Sequence, residues 1–338
     1  MKAMAIPAFG ERLVPIDIPD PEPANGEVTL AVKACGVCRT DLKVWHGQLP
    51  QVRRAPLPLV PGHEIVGVVD SMGPDVSGWK VGDRAVVYFY VGCGQCPPCR
   101  VGRPTLCYNL RNQIGFTCNG GYAQKVRVPA GNLVRISDRV PDSEAAIIPD
   151  AVGTAVHAVL DKAEVQPGDR VLVTGAGGVG LHIIQLVHLS GGFTVVADVD
   201  RSKLVMAEEL GADEIHLITG LDALPGSIRV NKAIEASGAL RDCGHITRVL
   251  EPAGRLVIVG YTVGEALKTG ALDLVSNEFD VRGSRASNPC NVVTAVQLVE
   301  QGKIRPIIDC VFPLGEANEV LSKLSAGELK ARAVLVPA

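Results

Sequence analysis

The chain has 338 residues, enough for two hydrophobic cores rather than one. Hydrophobic residues make up 47% and charged residues 20%, a balance that argues against extensive disorder. The net charge is −3 and no Lys/Arg-rich run provides a local basic field, so a nucleic-acid partner is not expected.

The amino terminus reaches Pro7 and Glu11 too early for a signal peptide's apolar core. No stretch approaches roughly 18 uninterrupted apolar residues, so no membrane partner is expected either. A cytoplasmic protein is the expectation. The first 150 residues read as β-rich. Segments 28–35, 64–73, 83–91 and 122–130 are short apolar or alternating runs broken by Gly, Pro and Asp, the texture of a partly open barrel or coiled sheet.

Inside this region Cys93, Cys96, Cys99 and Cys107 follow the spacing C-x2-C-x2-C-x7-C. In a reducing compartment thiols stay free for metals or catalysis, which makes two disulfides the weaker reading. Four thiolates on a loop with Gly92, Gly94, Pro97 and Pro98 can close a tetrahedron around zinc and leave no position for substrate. Such a site is structural. At Asp142 and Ser143, residue types that cap helices, a helical pattern begins and runs to Leu160, kinked or divided by Pro149.

From Asp169 onward strands and helices alternate, including a helix around 239–250 and strands at GRLVIVG and FDVRGSR. That rhythm predicts a parallel, doubly wound sheet. Its first turn, VLVTGAGGVG, carries Gly175, Gly177 and Gly180 with Gly178 and Val179 between them. Gly175 permits the tight turn, Gly177 admits a pyrophosphate, and Gly180 lets helix and strand pack closely. The helix amino terminus offers free N–H groups to the phosphates. Asp198, at the end of the next strand, suits the adenosine ribose hydroxyls and repels a 2′-phosphate, which favours NAD over NADP. Arg201 lies close by. After Asn288 come a helix, an extended piece and a second helix.

Several motifs in order resemble the zinc-containing alcohol dehydrogenases of the medium-chain dehydrogenase/reductase superfamily, over essentially the whole chain. They are GVCRTD, the GHEIVGVVDSMGPDV segment (Gly62, His63, Glu64, Gly67, Gly73 and Val76), the four-cysteine lobe and GAGGVG. The resemblance implies an α/β protein with a discontinuous, barrel-like catalytic domain (GroES-like) at 1–152 and 287–338. A Rossmann dinucleotide-binding domain at 153–286 would complete it, with the active site in the cleft between the two. It implies two zinc ions, NAD, an alcohol or aldehyde substrate, and a homotetramer or homodimer formed through the cofactor domains.

By position, Cys38 and His63 match two catalytic zinc ligands and Asp150 looks like the third. Glu64 matches an acidic neighbour able to exchange with water at the metal. Thr40 matches the hydroxyl that hydrogen-bonds the substrate oxygen. Arg39 and Arg332 sit where relatives place cations against the pyrophosphate, and Lys203 where a lysine reaches the ribose. One position departs from the pattern: Lys43 stands where many relatives have a relay histidine, so Lys43, His46 or water passes the proton outward. Zinc with one open position would stabilise the alkoxide, much as it lowers bound water from about 15.7 to about 7.

Other readings stay within reach of the residues. The same scaffold serves polyol, threonine, aryl and CoA-linked substrates. A zinc-free quinone-reductase-like relative would lack the metal ligands that are present here, and a non-enzymatic binding protein would not need them. Arg53 and Arg54 could meet an anionic substrate or simply face solvent.

Overall fold

Eleven residues, Glu27–Val37, form the strand on which the first unit is built. Val28, Thr29, Leu30 and Val32 are buried, as is the run from Ala34 to Val37, and between them only Ala31 and Lys33 turn outward, so most of the strand is covered on both faces. One edge pairs with antiparallel Glu64–Met72. The other edge is divided: Glu27 to Ala31 take strand Lys125–Pro129, and Cys35 to Val37 take Arg332–Val336. Register shifts between Thr29 and Leu30 and between Val32 and Ala34 bend the strand. The sheet therefore splits and coils. Its order is Ile308–Pro313, Arg332–Val336, Glu27–Val37, Glu64–Met72, Arg84–Val87, Leu133–Arg135.

The second unit holds six parallel strands in the order Glu214–Leu217, Phe193–Asp198, Arg170–Thr174, Val230–Glu235, Leu250–Ile258, Asp280–Gly283. Val171, Leu172 and Val173 are all buried, because a central parallel strand has helices over both faces. Chain order reverses at Arg170–Thr174, and that is the crevice where doubly wound sheets bind ligands. This computed structural model describes residues 1–337. Packing divides them into Met1–Asp150 with Asn288–Gly302 and Pro306 onward, and Ala151–Ser287 with Lys303–Arg305.

Two local expectations are corrected. The helix expected from Asp142 to Leu160 is four pieces: α-helix Asp142–Ala146, π-helical Ile148–Val152, α-helix Gly153–Val156 and π-helical His157–Ala163. Pro149 has no N–H for a regular helix bond, and the wider turn accommodates it. Asp142 does not cap this helix. Pro141 occupies the cap position, and the Asp142 carboxylate instead takes Arg84 Nη2 at 2.6 Å. The helix expected around 239–250 shrinks to Gly244–Thr247. Among the described residues no helix is long and apolar enough to cross a membrane.

Candidate active site

Antiparallel pairing of Gly36 with Glu64 brings two distant sequence segments to one place. Just beyond that pair, Cys38 caps helix Arg39–Trp45, and His63 precedes the strand that Glu64 begins. Only glycine fits at 36, where a Cβ would lie 2.0 Å from Glu64 Oε2. Asp150 arrives on the π-helical turn Ile148–Val152. One ligand atom from each of Cys38, His63, Glu64 and Asp150 lies within 4.8 Å of the others, and all four residues are buried.

Three acidic or thiol groups and one imidazole in a buried space need a cation. Arg332 supplies one positive charge, with Nη2 2.9 Å from Glu64 Oε1 and 3.1 Å from Asp150 Oδ2. Burial drives the Glu64 carboxyl well above the ordinary range against the pull of Arg332. Burial also pushes Asp150 up, but His63 and Arg332 outweigh it and hold Asp150 well below that range. Glu64 Oε2 makes no hydrogen bond. A sulfur, a nitrogen and carboxylate oxygens within 4.8 Å of one another fit zinc, whose ligands include all three types.

Asp41, which the sequence reading passed over, orients the donors. Its Oδ1 lies 3.1 Å from His63 Nδ1, and its Oδ2 accepts the Cys38 N–H at 2.8 Å. With Nδ1 turned to Asp41, His63 Nε2 faces the cluster, 3.7 Å from Asp150 Oδ2. Phe89 and Phe116 enclose the imidazole at ring-centre distances of 4.9 Å each. Thr40 Oγ1 is 3.5 Å from Cys38 Sγ. Lys43, half-buried on the same helix, is pulled below its ordinary pKa by desolvation. Arg39 is exposed. Arg332, expected among the cofactor residues, sets its Nη2 against both carboxylates of the acidic pair, a contact no spacing discloses.

The four cysteines of the lobe gather separately, again with Sγ atoms within 4.8 Å. Cys93 and Cys99 Sγ are 4.0 Å apart, and Cys96 and Cys107 Sγ 3.8 Å. A disulfide bond measures about 2.05 Å, whereas tetrahedral Zn–S bonds of about 2.3 Å give S···S edges near 3.8 Å. All ten cysteines are free thiols. N–H groups of Gln95 and Cys96 point at Cys93 Sγ and pull its thiol down to about 6. Short helices Pro97–Arg100 and Pro104–Leu106 carry the chain between the sulfurs.

In the second unit the glycine turn leaves Arg170–Thr174 and enters helix Gly180–Leu189. Gly175 has φ +90°, and a Cβ there would meet Ser237 N at 2.7 Å; one on Gly180 would sit 1.8 Å from Gly175 O. At Gly177 a Cβ would meet no protein atom within 4 Å, leaving the cradle open for a phosphate. Gly178 and Val179 complete the turn, and Gly178 O accepts His182 Nδ1–H at 2.8 Å. Asp198 ends its strand, accepting Ala176 N–H at 2.6 Å and Asp200 N–H at 2.9 Å. Its carboxylate is thus fixed beside the turn. Lys203 lies on the helix Arg201–Glu209 that follows. These features fit a dinucleotide.

Residues 24–138 match the alcohol dehydrogenase GroES-like domain, and residues 178–301 match the zinc-binding dehydrogenase domain. An alcohol dehydrogenase of Geobacillus stearothermophilus is 33% identical, with 99% of each chain covered. Among solved structures, AibC is 35% identical with a TM-score of 0.92, covering 100% of this chain and 96% of its own. A thermostable alcohol dehydrogenase from Pyrobaculum aerophilum is 30% identical with a TM-score of 0.91, covering 100% and 99%. With likeness running from end to end and both metal clusters formed, this chain belongs to the zinc-containing alcohol dehydrogenases of the medium-chain dehydrogenase/reductase superfamily, as a zinc-dependent, NAD-linked oxidoreductase.

Proposed function

We propose that the chain interconverts an alcohol and its aldehyde or ketone, with chemistry at Cys38, His63, Asp150 and Glu64 and a purely structural role for the four-cysteine lobe. The observation that carries this reading is the buried convergence of those four donors within 4.8 Å. Bound zinc supplies a Lewis acid for the substrate oxygen, and bound NAD accepts the hydride.

The chain's own residues do the rest. Cys38, His63 and Asp150 would hold the metal, with Glu64, paired with Arg332, as the acid beside them. Thr40 takes the hydroxyl proton and gives its own onward, a transfer alanine could not make. Lys43 lies one helical turn further on the same helix, where it or His46 can pass the proton outward. Gly175, Gly177, Gly178, Val179 and Gly180 receive the pyrophosphate. Asp198 and Lys203 serve the adenosine ribose, and Arg39 offers a cation to the phosphates.

We propose a homo-oligomer built through the dinucleotide unit. Asp280–Gly283 is an edge strand of the parallel sheet, and Leu272, Val275 and Val281 are exposed on or beside it. Light scattering on the purified protein should give the mass of two or four chains. A cytoplasmic location suits ten free thiols, four of them gathered without a disulfide. Cell fractionation tests it.

The deciding experiment for function is NAD-dependent oxidation, read as NADH absorbance, over primary, secondary, aromatic and polyol alcohols. Turnover of at least one class is expected. Silence across the panel in protein that holds two zinc ions and binds NADH would overturn the simple-alcohol assignment.

A further inference from the structure

Two segments far apart in sequence, Val60-Pro61-Gly62-His63 and Gly120-Gly121-Tyr122, are laced together by their backbones. Gly120 N–H donates to Val60 O at 2.8 Å, Gly121 N–H to Gly62 O at 2.8 Å, and Tyr122 N–H to Pro61 O at 3.0 Å. Their side-chain space is shared as well. Gly62 has φ +94°, and a Cβ there would fall 2.3 Å from Tyr122 Cδ1; a Cβ on Gly120 would fall 2.0 Å from Gly62 O. The Tyr122 ring therefore fills the room that Gly62 leaves, directly before His63 in the chain. Tyr122 is fully buried, so its hydroxyl requires a partner.

That partner is Asp41, whose Oδ2 accepts the hydroxyl at 3.2 Å. The same oxygen accepts the Cys38 N–H, while Oδ1 faces His63 Nδ1. One buried carboxylate thus ties together the backbone of one proposed ligand and the ring of another. Two donors from separate segments, Cys38 N–H and Tyr122 O–H, fix the rotation of that carboxylate. Without the hydroxyl the Cys38 N–H still holds Oδ2, but the carboxylate can swing about that single bond and carry the imidazole with it.

We propose that Tyr122 is a positioning residue for the buried metal site and acts through Asp41 on the orientation of His63. The proposal rests on the reading of Cys38, His63 and Asp150 as zinc ligands. Outer partners of a ligating histidine typically change metal affinity about 10- to 100-fold when removed, and a hydroxyl one step further out belongs at the lower end.

The test follows zinc release from the holoenzyme to excess EDTA, read with a zinc-sensitive dye. The four-cysteine site is the internal reference, identified as the phase that disappears in Cys93→Ser. In Tyr122→Phe, which keeps the ring and its packing, the buried-site phase should quicken about 10-fold while the four-cysteine phase is unchanged. In an Asp41→Asn background the same tyrosine change should add nothing further. An unchanged buried-site phase, equal quickening of both phases, or full additivity with Asp41→Asn would each overturn the proposal. Wild-type protein that releases only one zinc ion would instead sink the underlying metal assignment.

Discussion

The two metal clusters of this chain are built in opposite ways. The four-cysteine lobe takes all its donors from residues 93 to 107, lies at the surface, and is held by backbone N–H groups aimed at sulfur. The Cys38, His63, Glu64 and Asp150 cluster draws on segments more than 100 residues apart, is buried, and depends on ion pairs and a shared carboxylate. A local loop can fold round its metal on its own account. The buried cluster exists only once the coiled sheet has set its register. The lobe is therefore expected to contribute stability, and the cluster reactivity.

The sharpest way to break this contrast is to remove one donor from each. His63→Ala should lower kcat/KM for alcohol oxidation by at least about 10³-fold, since a metal Lewis acid contributes several kcal/mol at roughly 1.4 per tenfold. Cys93→Ser should leave activity per folded molecule within a fewfold while lowering the thermal midpoint by about 10 °C, as expected if a structural metal contributes several kcal/mol to folding. Steady-state rates and thermal unfolding, measured on both variants, check the pair. If the two variants behaved alike, the division of labour would be wrong.

Next in size is Arg332→Met, which leaves the Glu64 and Asp150 carboxylates without their buried cation. Breaking such a pair costs about 3–5 kcal/mol. The loss of stability should be larger in chelator-treated protein than in zinc-loaded protein, because the metal takes over the neutralising charge. Equal losses in the two forms, by denaturant titration, would show that Arg332 does not serve the metal site. In the second unit, Asp198→Ala should weaken NAD about 10-fold, close to one lost charged hydrogen bond, and narrow the preference over NADP. NADH fluorescence titration reads this directly.

The smallest effect serves as a control outside both clusters. Burial raises the Asp169 carboxyl, but Lys232 at 2.6 Å, the Gln166 N–H and Asn231 outweigh it and hold it below its ordinary value. A carboxyl depressed in the folded state stabilises above its unfolded pKa of about 3.9, and that contribution fades as pH falls through the folded value. Asp169→Asn should therefore be slightly less stable than wild type at pH 7, with the gap closing below about pH 4. Thermal melts across pH would show a persistent gap if the pairing were not responsible.

How much could be read from the sequence follows the same division. Cys93 to Cys107 announce themselves by spacing, and Gly175, Gly177 and Gly180 by lying between a strand and a helix. Cys38, His63 and Asp150 carry no mutual spacing, and only resemblance joined them before the pairing of Gly36 with Glu64 did so in space. Asp41 and Tyr122 could not be seen at all, since their roles exist only through hydrogen bonds across 22 and 81 residues. Asp142 looked like a helix cap but was claimed by Arg84, from a strand 58 residues earlier. Local propensity gives way where a charged partner from elsewhere offers a stronger bond.

The most direct test is zinc content measured together with NAD-dependent alcohol oxidation in wild type and in His63→Ala. Wild type should hold two zinc ions per chain and turn over. The variant should hold one zinc ion, bind NADH undiminished and show no turnover. Two zinc ions or normal turnover in His63→Ala would contradict this and move the chemistry away from the buried cluster.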